Sequence, residues 1–167
     1  VVAMVPVLAF GFIIHIFYAS YLTLTNMKAR GKERYAVPNK GETDSWSSKN
    51  MYVLGVIVLG FLVFHLTHFW ARMQLPDFTG GEAENVNDLM PLIFGNIYIL
   101  IAYIIWFCAL WLHLTHGFWS ALQTVGMNNQ KWLTRWKAVS YVYATVVVLG
   151  FIGIAVTAYL KANGIVG

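Results

Sequence analysis

Four long hydrophobic runs dominate this chain, and they carry all five of its histidines, His15, His65, His68, His113 and His116, while the polar stretches between them carry none. Each run reaches the roughly 20 residues that a helix needs to cross a hydrocarbon core of about 30 Å. The histidines limit what such a bundle can be for. A polar, titratable ring is costly in a membrane interior, so five of them with none in the loops imply a shared task. Four stand in two near-duplicate strings, HLTHFW at 65–70 and HLTHGFW at 113–119.

With 59% hydrophobic and 11% charged residues, the chain is too apolar for an ordinary soluble domain. Helices are expected over barrel strands, which alternate apolar and polar residues, whereas VLGVIVLGFLVF is apolar on every face. The expected fold is an all-α transmembrane bundle with four helices, near 1–26, 50–72, 92–125 and 138–161, forming one domain. The third run is longer than one crossing needs. It tilts, or it begins outside the bilayer after Pro91. The chain opens inside a hydrophobic run at Val1, so a further segment is expected upstream.

Its formal charge of +4 is distributed by side and not gathered into a nucleic-acid patch. Lys28, Arg30, Lys32, Arg34, Lys40 and Lys49 belong to the loop at 27–49, and Lys131, Arg135 and Lys137 to the loop at 126–137. The loop at 73–91 and its edge set Arg72 against Asp77, Glu82, Glu84 and Asp88. The positive-inside rule therefore places loops 27–49 and 126–137 in the cytoplasm and loop 73–91 outside. Trp46, Tyr52, Trp70, Trp132, Trp136 and Tyr159 fall near the expected membrane edges, as interfacial anchors do. The single cysteine, Cys108, allows neither an internal disulfide nor a CxxCH haem attachment and reads as an apolar packing residue.

Depth sorts the histidines. His15 lies about 13 residues, roughly 20 Å of helix, before Lys28, and His113 has the same spacing to Gly126. Both helices end on the cytoplasmic side, so the two rings can face each other. The second helix runs the other way, which puts His65 about 10 Å and His68 about 6 Å short of Arg72. The chain thus has a cytoplasm-proximal level and a distal one.

Two histidines facing across helices are the usual axial ligands of a low-spin b-type haem, with both iron positions filled and electron transfer favoured over oxygen chemistry. Gly11, one turn before His15, and Gly117, one turn after His113, either admit a flat macrocycle or serve close helix packing. Within each HLTH string the histidines stand at i and i+3 on one face, so only one per string can be a ligand of a given haem. Non-haem iron sites generally add carboxylates, and no Asp or Glu lies in any hydrophobic run.

The strings LHLTHGFWSALQTVG at 112–126 and IIHIFYASYLTLTNMKARGKERYAV at 13–37, with HLTHFW between them, resemble the cytochrome b membrane anchor of succinate dehydrogenases and fumarate reductases, of the type with one anchor polypeptide and two haems. The resemblance spans essentially the whole chain. It implies a five-helix bacterial inner-membrane anchor with four axial histidines, the first on a helix upstream of Val1. His15 and His113 match the ligands of the haem nearer the cytoplasmic subunits. His65 matches the ligand on the intervening helix when the HLTH strings are aligned, and His68 when the following aromatic and Arg72 are aligned; His65 is taken first.

The resemblance also implies partners: a flavoprotein and an iron–sulfur subunit on the cytoplasmic side, membrane lipid, and a quinone, menaquinone among the quinones. Nothing in it implies nucleic acid. Dicarboxylate chemistry would belong to those subunits, because this chain has no FAD-binding glycine motif and no cysteine set for an iron–sulfur cluster. Lys28, Arg30 and His116 become candidates for the surroundings of the proximal haem, and His68, Trp70 and Arg72 for the distal haem or quinone. Some fumarate reductases of this type carry a proton-transferring acid two residues before the ligand matching His113, where this chain has Trp111. Anchors of a hydrogenase or a formate dehydrogenase, and a haem-free scaffold or transporter, are the competing expectations.

Overall fold

The computed structural model describes residues 4–30, 45–127 and 129–166, which divide into two compact units, 1–52 and 53–167. Every regular element among the described residues is helical. Four helical stretches, residues 4–29, 51–73, 97–124 and 130–162, are long and apolar enough to cross a membrane, each with a best-window mean hydropathy of 1.9 to 2.2. The protein is a multi-pass membrane protein.

In the first unit, α1 (Met4–Arg30) is apolar around its whole circumference. Val7, Phe10, Phe17 and Tyr21 are all exposed, which lipid tolerates and water does not. A short α2 (Trp46–Lys49) follows, its N-terminus capped by Ser45, whose hydroxyl accepts from the Ser48 N–H at 3.1 Å. Arg30 closes α1, and its side chain, like the basic loop residues at 31–44, lies outside the described residues.

The second membrane helix is built in three parts: α3 (Met51–His65), a π-helical turn (Leu66–Trp70) and α4 (Ala71–Met73). The π-turn is visible in the backbone, where the Ala71 N–H reaches the Leu66 carbonyl and the Leu75 N–H reaches the Trp70 carbonyl at 3.2 Å, five residues back in each case. It coincides with the HLTHFW string.

The expected loop at 73–91 is largely helical. It contains α5 (Pro76–Thr79), stopped by Gly80 at φ 78°, and most of α6 (Val86–Phe94), capped by Asn85. Pro91 lies within α6 and does not open the third span. Because Leu89, Ile93 and Phe94 are buried and Val86 and Leu92 exposed, α6 is an amphipathic helix in its own right. The chain then turns at Gly95, where a Cβ would meet the Pro91 carbonyl oxygen at 2.6 Å and the Ala162 Cβ at 3.2 Å, so only glycine fits without displacement.

The third span, α7 (Ile97–Thr124), therefore starts at Ile97 and not near Leu92, capped by the Asn96 side chain on the Tyr98 N–H at 2.9 Å. After Gly126, at φ 94°, Asn129 caps α8 (Gln130–Ala162) in the same way. The last helix thus begins at Gln130 instead of 138 and takes up the basic segment KWLTRWK. At about 50 Å for its 33 residues it exceeds a hydrocarbon core, so the charged first turns can stay outside it.

Packing in the second unit rests on a stripe of small residues along α8. Ser140, Ala144, Val148, Ala155 and Ala158 recur at helical spacing and are buried against α7 and α6. Small side chains bring helices close where no hydrophobic driving force exists between them and lipid. The main core, Phe69, Leu89, Ile93, Phe94, Leu100, Tyr103 and Phe107 with Val148, Ala155 and Ala158 of that stripe, gathers at the end of the unit where the acidic loop lies. Contact between α3 and α7 is made by aromatic side chains: Phe61 meets Tyr103, Trp106 and Phe107 at ring separations of 5.4 to 5.6 Å. Cys108 is exposed, so its sulfur is not the packing group expected of it.

Candidate cofactor site

The helix holding HLTHFW runs antiparallel to α7, which sets the histidines of the second unit at two levels. At the first level His113 lies beside Gly55 of α3, its Cε1 3.6 Å from where a Gly55 Cβ would stand. At the second, His65 and His68 surround Tyr103, with ring separations of 6.4 and 6.1 Å. The stretch from Gly55 to His65 and the stretch from Tyr103 to His113 are each about ten residues, or roughly 15 Å of helix. The histidines of the second unit therefore lie at two levels along this helix pair.

At the His113 level, α8 holds the backbone of the second string. The Ser140 hydroxyl, fully buried, donates to the Leu114 carbonyl at 3.2 Å and to the Thr115 carbonyl at 2.5 Å. Thr115 is buried and donates back to the Leu112 carbonyl. Trp111 donates its indole N–H to Thr145 Oγ1 at 2.9 Å, a bond between α7 and α8. One turn beyond His113, His116 packs edge-on against Trp119 at 4.8 Å, and the Lys137 ammonium lies 5.1 Å over the same indole. The His116 Nδ1 is buried with no hydrogen-bond partner.

At the Tyr103 level, the two histidines of HLTHFW have different surroundings. His65 is packed between Phe61 and Phe69, at 5.7 and 5.0 Å, and its buried Nδ1 has no partner. His68 lies against Phe64 at 4.0 Å and shares a hydrogen bond of 3.1 Å between its Nδ1 and the Tyr103 hydroxyl. The Trp70 indole N–H, a donor only, is buried without an acceptor. The Arg72 guanidinium is held by both carboxylate oxygens of Glu84, at 2.7 and 2.8 Å, and the Glu84 N–H donates to the Arg72 carbonyl. Arg72 thus ties the acidic loop to the end of the second span.

No family model, curated protein or solved structure matches this chain. Among the described residues no three His, Cys, Asp or Glu side chains are grouped as metal ligands. A haem iron with two axial histidines asks only for one ligand from each of two helices. Buried ring nitrogens without partners, at His65 and His116, are compatible with a flat group held between helices.

His15 is on α1 with Gly11 one turn before it and Lys28 in the last turn, all in the first unit. Within that unit a Cβ at Gly11 would meet nothing within 4 Å, so packing inside the unit does not account for the glycine. Gly117 continues α7 past His116. Four features were missed from sequence: Gly55, Tyr103, Ser140 and the π-turn. The first three had a faint signal, being small or polar residues inside apolar runs, one of which stands ten residues before His113.

Proposed function

We propose that this chain is the haem b-binding membrane anchor of a succinate:quinone oxidoreductase, passing electrons between a flavin and iron–sulfur subunit pair on the cytoplasmic side and quinone in a bacterial inner membrane. The observation that carries the reading is the pair of HLTH strings set at two levels of one antiparallel helix pair, roughly 15 Å apart. That separation is what two haems in series across a bilayer would need. The resemblance of residues 13–37 and 112–126 to such anchors supplies the family.

In this reading His15 and His113 hold the haem nearer the soluble subunits, and one histidine of HLTHFW supplies a ligand to the second, whose other ligand comes from outside these residues. Haem b held by these residues would supply reversible one-electron transfer. The chain's own residues set the surroundings. Gly55 lets the His113 ring lie against α3, and Ser140 fixes the backbone from which that ring projects. Phe61, Phe64, Trp106 and Phe107 keep water from the space between α3 and α7. Lys28 and Arg30, at the end of α1, are cations suited to haem propionates, with His116 as a neighbour on α7. Trp70, with an unanswered N–H, is a donor suited to a quinone carbonyl, menaquinone included, while Arg72 is engaged by Glu84.

Purification of the complete complex tests the reading. The expected result is a b-type reduced-minus-oxidised spectrum with a flavoprotein and an iron–sulfur protein co-purifying and succinate able to reduce the haem. A b-type spectrum with hydrogenase or formate dehydrogenase subunits would move the anchor to another complex; a protein without b-type bands would end the haem reading. His15→Ala and His113→Ala are expected to remove the same haem and leave the other.

A further inference from the structure

We propose that Tyr103 is a positioning residue that makes His68, in preference to His65, the iron ligand at its level; the inference rests on the haem reading above. A histidine binds iron through an unprotonated ring nitrogen, so its proton must be kept on the other nitrogen, and a hydrogen-bond partner for that N–H fixes both tautomer and ring orientation. At the Tyr103 level only one of the two rings has such a partner.

The His68 Nδ1 is 3.1 Å from the hydroxyl of Tyr103, a side chain with 1% of its surface exposed. Phe64 closes on the same imidazole at 4.0 Å and 61° between ring planes, so the ring is held by a polar contact at Nδ1 and by an aromatic one. The bond can run in either sense. With the proton on Nε2, the phenol donates to Nδ1; with the proton on Nδ1, the imidazole donates to the phenol oxygen and Nε2 keeps its lone pair. Ligation requires the second arrangement. The imidazole is neutral in both arrangements; passing from the first to the second moves its proton from Nε2 to Nδ1 and turns the phenol hydrogen away from the ring.

His65 lacks these supports. Its Nδ1 is buried without a partner, and its ring fills the aromatic packing between Phe61 and Phe69. The π-turn separates the roles further. A regular helix would keep positions 65 and 68 on one face. The widened turn that begins at Leu66 changes the angle between them, and the ring that reaches Tyr103 is the second. π-turns of this kind recur at functional sites.

The test uses the complete haem-loaded complex and follows each b component by redox titration and by its low-spin electron paramagnetic resonance signal. Tyr103→Phe is expected to retain both haems, to raise the midpoint potential of one component and to shift that component's signal alone. The direction follows from the lost acceptor, since an imidazole that no longer donates from Nδ1 is a poorer electron donor and stabilises ferric iron less. His68→Ala is expected to lose that same component and His65→Ala to keep it. Unchanged potentials and signals in Tyr103→Phe, or loss of the component in His65→Ala with retention in His68→Ala, would overturn the inference while leaving the haem reading intact. Absence of b-type bands in the unaltered complex would overturn both.

Discussion

The two HLTH strings share four residues and almost nothing of their environment. In the first, Thr67 is exposed and its hydroxyl donates to Phe64 within its own helix; in the second, Thr115 is buried and its backbone carbonyl receives Ser140 from the neighbouring helix. The first string passes through a π-turn, while the second is regular α-helix throughout. Gly117 accompanies this difference, placing Phe118 and Trp119 one residue further from His116 than Phe69 and Trp70 are from His68. Trp119 is then buried, whereas in the first string it is Phe69. Repetition of a sequence string therefore does not repeat its geometry, and the neighbouring helices set the surroundings of each: Gly55 and Ser140 for one string, Tyr103 for the other.

The sharpest way to break this comparison is to fill the space at one level only. Gly55→Leu is expected to displace the His113 ring and lose its haem while sparing the one near Tyr103; Gly55→Ala, whose Cβ would make an ordinary contact at 3.6 Å, is expected to retain both. Haem quantification and the spectra of the two variants check this. Loss of both haems in Gly55→Leu would show that the levels are not independent.

Next in size is the aromatic layer. Phe61→Ala removes the ring that meets His65, Tyr103, Trp106 and Phe107, and is expected to cost roughly 3 kcal/mol of stability in reversible unfolding from detergent. Its effect should concentrate at the Tyr103 level. A loss confined to the His113 haem would contradict the placement of Phe61.

Smaller effects sharpen the other half. Ser140→Ala removes buried hydrogen bonds to the second string, for which about 1 kcal/mol is expected, because interhelical hydrogen bonds in membranes average less than their burial suggests. The same unfolding measurement reads it. Arg72→Gln opens the clamp on Glu84, an exposed ion pair, and should cost below about 1 kcal/mol with both haems retained. A lost haem in that variant would give Arg72 a place in the site that its pairing with Glu84 argues against.

Hydropathy made the four spans legible, and helical rise counted from the charged loops set His113 and HLTHFW at different levels. The ends of the elements were less legible, for identifiable reasons. Pro91 looked like a helix opener, but α6 carries it near its middle because Leu89, Ile93 and Phe94 gain burial against α7 and α8. The basic residues before 138 looked like a loop, yet Lys and Arg are good helix formers and Asn129 supplies a cap. The π-turn adds width to one turn without changing composition, so no periodicity count detects it. Tyr103 and Gly55 matter only through contacts between helices remote in sequence, and such contacts leave no mark in either helix taken alone.

Haem stoichiometry in the intact complex tests the two-level arrangement most directly. Pyridine haemochrome analysis of the complete complex, normalised to this chain, should give two haem b in the unaltered protein and one in His113→Ala, with the remaining haem still low-spin. No haem in the unaltered complex, or a single haem lost alike in His113→Ala and in His68→Ala, would contradict it.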